Sequence, residues 1–271
     1  MMIADAQVHI WAASTPERPW PAGHGTPHRP VPYSRGDLLR EMDEAGVDRA
    51  VIVPPSWEGE RNDLGLEAAQ LYPDRFGVMG RIDCEAPGAR GRIATWRQQP
   101  GMLGLRFTAQ GGNPAADWVW GEAEAAGVPI MMSVPPALLH TVDRTAERYP
   151  ALKLVIDHLS MPKGKTDDEA FAHLDILLPL ARRPNIAVKA TSLPMHTTDS
   201  HPFRRLYPHI RRVYDAFGPK RMFWGTDRTK LPCTYREAVT MFTEGIPWFT
   251  AEDKEWVMGR GLCEWIGWKM P

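Results

Sequence analysis

The sequence has little that would tie it to a membrane, a nucleic acid or an oxidising compartment. Its 271 residues hold no apolar run of bilayer-spanning length, and the opening Met1-Met2-Ile3-Ala4-Asp5 has neither a basic start nor an extended hydrophobic segment. Neither a transmembrane span nor a secretory leader is therefore expected. Charge is almost balanced, 32 basic against 33 acidic residues, which leaves no basic field to attract nucleic acid or anionic lipid. Cysteine is scarce. Cys84, Cys233 and Cys263 are odd in number, widely spaced and without a CxxC pair, which argues against a disulfide framework and for a reducing, cytoplasmic setting. Internal repeats and low-complexity segments are missing too. The expected partner is a small-molecule substrate, with no nucleic acid and no membrane, and self-association into a homo-oligomer is left open.

What the sequence does have is alternation. Short apolar runs at 3–9, 48–53, 76–82, 102–107, 129–134, 152–157, 185–190 and 222–226 read as strands. Helix-like stretches at 34–45, 62–71, 86–98, 115–126, 136–148, 167–181, 203–217 and 235–244 separate or follow them. Strict strand-helix alternation implies a parallel sheet, and eight units close it. The expected fold is an α/β, TIM-like (β/α)8 barrel, one domain over residues 1–271, with one or two extra helices packed from 250–268. Val51-Ile52-Val53 and Leu154-Val155-Ile156 are apolar at successive positions, as in strands covered on both faces. Ser34 with Asp37 makes an acidic capping box and Gly46 a left-handed stop. Thr250, Asp253 and Gly259 read as caps or stops of the terminal helices.

Three strand ends carry side chains that handle metal ions or protons: His9 after Gln7-Val8, His158 after Ile156-Asp157, and Asp227 after Trp224-Gly225-Thr226. A lone histidine is ordinarily a hydrogen-bonded core residue, but in a barrel these ends meet at one rim, where such folds keep their chemistry. Imidazole nitrogen and carboxylate oxygen suit a divalent ion such as zinc with an open position for water. Asp227 acting directly as a base, with the imidazoles polarising a carbonyl, is the alternative. Arg106, in Gly104-Leu105-Arg106-Phe107, offers a fork for a substrate carboxylate or else a structural salt bridge. Lys189 lies in a run expected to be buried on both sides, which implies a role in the site or an ion pair with a neighbouring acid.

Met132, Ser133, Trp57 and Glu58 are candidate wall residues. Residues 12–33 hold six prolines, two histidines and Trp20 without periodicity, a length unusual for an idle connection. They read as a lid or substrate wall, with His24, His28 and Tyr33 as contacts, or as a proline-stiffened surface loop.

Taken together, Asp5-Ala6-Gln7-Val8-His9-Ile10-Trp11, Gly104-Leu105-Arg106, Ile156-Asp157-His158, Val188-Lys189 and Phe223-Trp224-Gly225-Thr226-Asp227 resemble the amidohydrolase-related branch of the amidohydrolase superfamily. That branch includes lactonases of sugar acids and pyrone dicarboxylates, sulfomuconolactone hydrolases and nonoxidative aromatic-acid decarboxylases. The resemblance covers nearly the whole chain and implies a distorted (β/α)8 barrel. In it Asp227 is general base or metal ligand, His9 is the second histidine of the HxH motif and His158 is the histidine ending strand six. It also implies that an arginine at the position of Arg106 binds substrate carboxylate. Gln7 stands where the first HxH histidine belongs, and a neutral amide oxygen is the poorer ligand. Two readings stay open: a zinc or manganese site of Gln7, His9, His158 and Asp227, or a metal-free site of hydrogen-bond donors and a base. The expected function is hydrolysis of a carboxylate-bearing lactone or related cyclic ester. Metal-assisted decarboxylation of an aromatic or enoic acid is the enzymatic alternative, and a noncatalytic ligand-binding barrel the alternative of another class.

Overall fold

The computed structural model describes residues 1–23, 25–109 and 115–270. Eight strands lie in chain order in one sheet: β1 Ala4–Val8, β2 Arg49–Ile52, β3 Phe76–Gly80, β4 Met102–Thr108, β5 Ile130–Ser133, β6 Leu154–Ile156, β7 Ile186–Thr191 and β8 Met222–Gly225. Every neighbouring pair is parallel, and the expected (β/α)8 barrel is what forms. Strand residues divide between two cores because successive side chains point to opposite faces. Val51, Met79, Leu103, Met131, Val155, Ala187 and Phe223 fill the barrel interior. Ile52, Val78, Leu105, Ile130, Leu154, Ile156 and Val188 pack outward under the helices.

Around the sheet lie α1 Arg35–Ala45, α2 Asp63–Leu71, α3 Asp117–Ala126, α4 Leu139–Arg148, α5 Asp167–Phe171, α6 Leu174–Leu177, α7 Tyr207–Phe217 and α8 Tyr235–Thr240. The Ser34–Asp37 capping box and the left-handed Gly46 bound α1 as the sequence implied. The helix expected at 86–98 shrinks to a 3-10 turn at Ile93–Gln98, since Gly88 and Gly91 take φ values of 76° and 83° beside Pro87. The one expected at 167–181 breaks into α5, α6 and a 3-10 turn containing Pro179. Past α8, α9 Ala251–Glu255 opens on a Thr250–Asp253 capping box and runs through a π-turn into α10 Gly261–Ile266. Gly259 is therefore not a stop. A Cβ there would come within 2.8 Å of the Met2 carbonyl oxygen, so it is small to let the first strand approach. Leu262, Cys263, Ile266 and Trp268 join the interior core, so this helix plugs the floor of the barrel and leaves the opposite rim open. Among the described residues no helix is long and apolar enough to cross a membrane.

The seam between β1 and β8 is closed by a side chain. The buried Asp5 carboxylate accepts from Thr226 N at 2.9 Å, Thr226 Oγ1 at 2.5 Å and Tyr235 Oη at 2.7 Å, and one backbone bond, Asp227 N to Gln7 O, adds to it. Burial outweighs these donors and pushes the Asp5 carboxyl up to about 6. Gly225 is required here because a Cβ would lie 2.8 Å from both Ala6 N and Asp5 Oδ1.

Candidate active site

The rim ends of β1, β6 and β8 bring His9, His158 and Asp227 together. His158 and Asp227, and with them Ser192 after β7, hold left-handed backbone with φ of 52°, 53° and 62°. Such conformations persist in non-glycine residues only where the surroundings over-determine them, and they gather at functional sites. Here they mark the turn by which the chain leaves each strand. Asp227 is fully buried, its Oδ1 3.2 Å from His9 Nε2 and its Oδ2 3.9 Å from His158 Nε2. Lys230 Nζ stands 2.9 Å from Oδ2, yet neither carboxylate oxygen has an aligned hydrogen bond among the described residues. Burial alone would raise this carboxyl, but His9, Lys230 and His158 outweigh it and hold the group well below the usual carboxylate range. Asp227 is thus an ionised, buried carboxylate, paired with Lys230 at Oδ2 and facing the His9 ring at Oδ1 without an aligned hydrogen bond.

Hydrogen bonds behind the imidazoles fix their tautomers. His9 Nδ1 donates to the Val53 carbonyl at 2.6 Å, and His158 Nδ1 pairs with Thr191 Oγ1 at 2.6 Å. Burial drives the His158 imidazole down to about 3 against the pull of Asp227, so it is neutral at ordinary pH. Gln7 agrees with this assignment. Its Oε1 accepts from Lys189 Nζ at 2.5 Å, which turns its amide nitrogen to His9 Nε2 at 3.3 Å and His158 Nε2 at 3.1 Å. An amide N–H donates, so both Nε2 atoms present lone pairs toward the site.

Several expected roles are corrected by this geometry. Gln7 turns its amide nitrogen, not its oxygen, to His9 and His158, so as placed it presents no ligand atom between them. Lys189 is no substrate contact either. It lies in the barrel interior with no exposed surface, 2.6 Å from Asp157 Oδ1. Asp157, also fully buried, is gripped from its other edge by Arg106 Nε at 3.2 Å. Burial alone would raise its carboxyl, but Lys189 and Arg106 keep it below the usual range. Tyr33 is buried with its hydroxyl on Glu41 Oε2 at 2.9 Å and pairs with Trp11 across a short antiparallel bridge, so it closes the neck of the 12–33 loop. Glu58 accepts from Arg18 Nε at 3.1 Å and holds the loop down, and Met132 packs outward under the helices. His24 lies outside the described residues.

A cavity of about 580 Å3 opens above the constellation, lined by Gln7, His9, His158 and Asp227 together with Arg106, Ser133, Trp57 and Lys230. Gly25, Thr26 and His28 of the 12–33 loop form part of its wall. His28, read from the sequence as a wall contact, lies in that wall. It packs on the Trp57 ring at 4.7 Å and the His9 ring at 5.3 Å, and its Nδ1 lies 2.8 Å from Thr229 Oγ1. Burial lowers its imidazole to about 3. Ligand atoms of His9, His28 and Asp227 all lie within 4.8 Å of one another. Periodicity could not have found this, since the proline-rich loop has none. Lys230 had a weaker signal, standing three residues after Asp227 in the turn that leaves β8.

The chain belongs to the amidohydrolase family, which it matches over residues 4–260, and it is a hydrolase. It is 26% identical over 232 residues to an L-fucono-1,5-lactonase of Burkholderia ambifaria, covering 82% of this chain and 79% of the relative. To a 4-sulfomuconolactone hydrolase of Hydrogenophaga intermedia it is 25% identical over 236 residues, 82% of this chain and 73% of that one. Among solved structures, an amidohydrolase from Burkholderia multivorans with bound zinc superposes with a TM-score of 0.81 at 22% identity, covering 98% of this chain and 99% of the other.

Proposed function

We propose that the protein hydrolyses a small lactone, or related cyclic ester, that bears a carboxylate. The observation that carries this reading is the buried, ionised Asp227 carboxylate at the base of the cavity, with no aligned hydrogen bond to consume its lone pairs. Asp227, ionised and lining the base of the cavity, takes a proton from water as that water attacks the ring carbonyl. The ammonium of Lys230, lining the same cavity, stabilises the oxyanion of the tetrahedral intermediate. When the ring C–O bond breaks, Asp227 returns the proton to the leaving oxygen. Arg106, committed at Nε to Asp157 and at Nη1 to Thr108, binds the substrate carboxylate through its other N–H groups, with Ser133 beside it on the wall.

The two relatives are named for lactone hydrolysis, which supports this reading over decarboxylation. His9 and Asp227 also fit a divalent cation, zinc or manganese, by donor type and by the Asp227 Oδ1 that has no aligned hydrogen bond. Such an ion supplies Lewis acidity at the carbonyl and a more acidic bound water. His158, a neutral ring with its lone pair inward, and His9, whose Nδ1 proton is held by the Val53 carbonyl, do not donate to a carbonyl. The test is a panel of acid-bearing lactones against aromatic acids, followed by proton release in lightly buffered solution. Ring opening with one proton released per turnover is expected. Release of carbon dioxide from an aromatic acid, with no lactone turned over, sinks the assignment.

A further inference from the structure

We infer that a divalent cation of the zinc type binds between His9 Nε2, Asp227 Oδ1 and a ring nitrogen of His28. The loop after β1, not the strand residue Gln7, thus completes the ligand set. This rests on the active-site location given above, but not on a lactone being the substrate.

The first argument is a confrontation of acceptors. His9 Nδ1 is 2.6 Å from a backbone carbonyl, which only accepts, so the ring proton sits there and Nε2 carries a lone pair. Only 3.2 Å away is Asp227 Oδ1, a second acceptor without a hydrogen bond. A proton placed on Nε2 would face the Gln7 amide nitrogen, itself a donor, at 3.3 Å. A cation between the two lone pairs removes the conflict. Ligand atoms about 2.0–2.2 Å from a tetrahedral zinc stand roughly 3.3–3.5 Å apart, close to the separation observed.

Gln7 cannot serve as a third ligand while the Lys189 ammonium holds its oxygen. His28 can. Its Nδ1 is 4.0 Å from Asp227 Oδ1 and its ring packs on Trp57; the Thr229 hydroxyl 2.8 Å from the same Nδ1 is neutral and rotatable, so it gives way to the ion where the buried Lys189 ammonium does not. The two carboxylate edges are then divided: Oδ1 faces His9 and His28, while Oδ2 keeps Lys230 at 2.9 Å. Two imidazoles and one carboxylate with a further position open make a known type of catalytic zinc set. The consequence particular to this chain is that binding the ion fastens the 12–33 loop across the rim.

Full-length protein stripped with a chelator is titrated with cobalt(II), read by its visible absorption, and with zinc by calorimetry. One equivalent is expected to bind. His28→Ala should weaken both by roughly tenfold to a hundredfold or more, whereas Gln7→Met should change affinity less than about threefold, losing no ligand. Hydrogen exchange across 12–33 should slow on adding zinc to the parent and stay unchanged in His28→Ala. Parental affinity in His28→Ala, or no cobalt binding by the parent, overturns the inference. So does metal affinity lost in Gln7→Met and kept in His28→Ala. If Gln7→Met does not fold, the His28 variant and the exchange data decide alone. A protein that binds cobalt through His28 but opens no lactone keeps this inference and refutes only the substrate assignment.

Discussion

The rim ends of β6 and β8 each bury an aspartate almost completely, Asp157 at 1% exposure and Asp227 at 0%, and they use it in opposite ways. Asp157 is clamped by two cationic side chains, the interior Lys189 and the Arg106 guanidinium. Its charge is paired on both edges, and what it does is hold Arg106 in place and, through Lys189, aim the Gln7 amide. Asp227 faces the His9 and His158 rings and one lysine, Lys230, whose side chain is 37% exposed. Burial of a charge is costly unless it is paired, so a carboxylate at the base of a cavity that is paired on one edge by a part-exposed lysine and has no aligned hydrogen bond on the other marks where chemistry or a cation belongs. The same residue type at equivalent places in the barrel is a structural strut in one case and a reactive group in the other. The partner set decides which.

Substituting each aspartate's surroundings tests that contrast. Asp227→Asn keeps shape and loses the base. It should lower kcat on an acid-bearing lactone by roughly 10²–10⁴-fold with the fold retained by circular dichroism, and near-parental turnover would remove Asp227 from its role. Lys189→Met breaks a buried pair and leaves Asp157 with Arg106 alone. Denaturant unfolding should show a loss of about 3–5 kcal/mol, and an unaffected midpoint would mean that the strut carries no load. Arg106→Lys keeps the charge and loses the fork, so kcat/KM for an acidic lactone should fall by roughly ten- to a hundredfold while a neutral lactone is largely spared. Equal losses on both would reassign Arg106 wholly to the Asp157 strut.

The smallest effect concerns a third buried aspartate, the seam residue Asp5. Its folded carboxyl titrates near 6 against an ordinary 3.8, so the fold favours its protonated form. The stability it contributes is present below about pH 4 and is lost as pH rises to about 6. The melting-temperature gap between the parent and Asp5→Asn should therefore favour the parent more at pH 4.5 than at pH 7.5. A gap that is constant across this range would show that Asp5 is not the group titrating at the seam.

Local pattern was enough to specify the barrel, because strand periodicity, apolar runs and capping residues act over a few positions. The eight strands, the α1 and α9 caps and the presence of extra terminal helices packed on the barrel were all legible, though not that the last of them plugs its floor. So was the meeting of His9, His158 and Asp227, since alternating strands and helices force their ends onto one rim. Helix breaks at Gly88, Gly91 and Pro179 were underweighted although they too are local.

Only tertiary structure could decide what each polar group faces. Gln7 was legible as a missing histidine, but that its oxygen is spent depends on Lys189, 182 positions away. The difference between Asp157 and Asp227 likewise rests on partners from other strands and loops. His28 reaches the rim through a loop with no periodicity, held by Thr229, 201 positions further along the chain. Propensity and hydrophobic pattern are properties of neighbouring residues, whereas the direction of a hydrogen bond and the pairing of a buried charge are fixed only when distant segments meet.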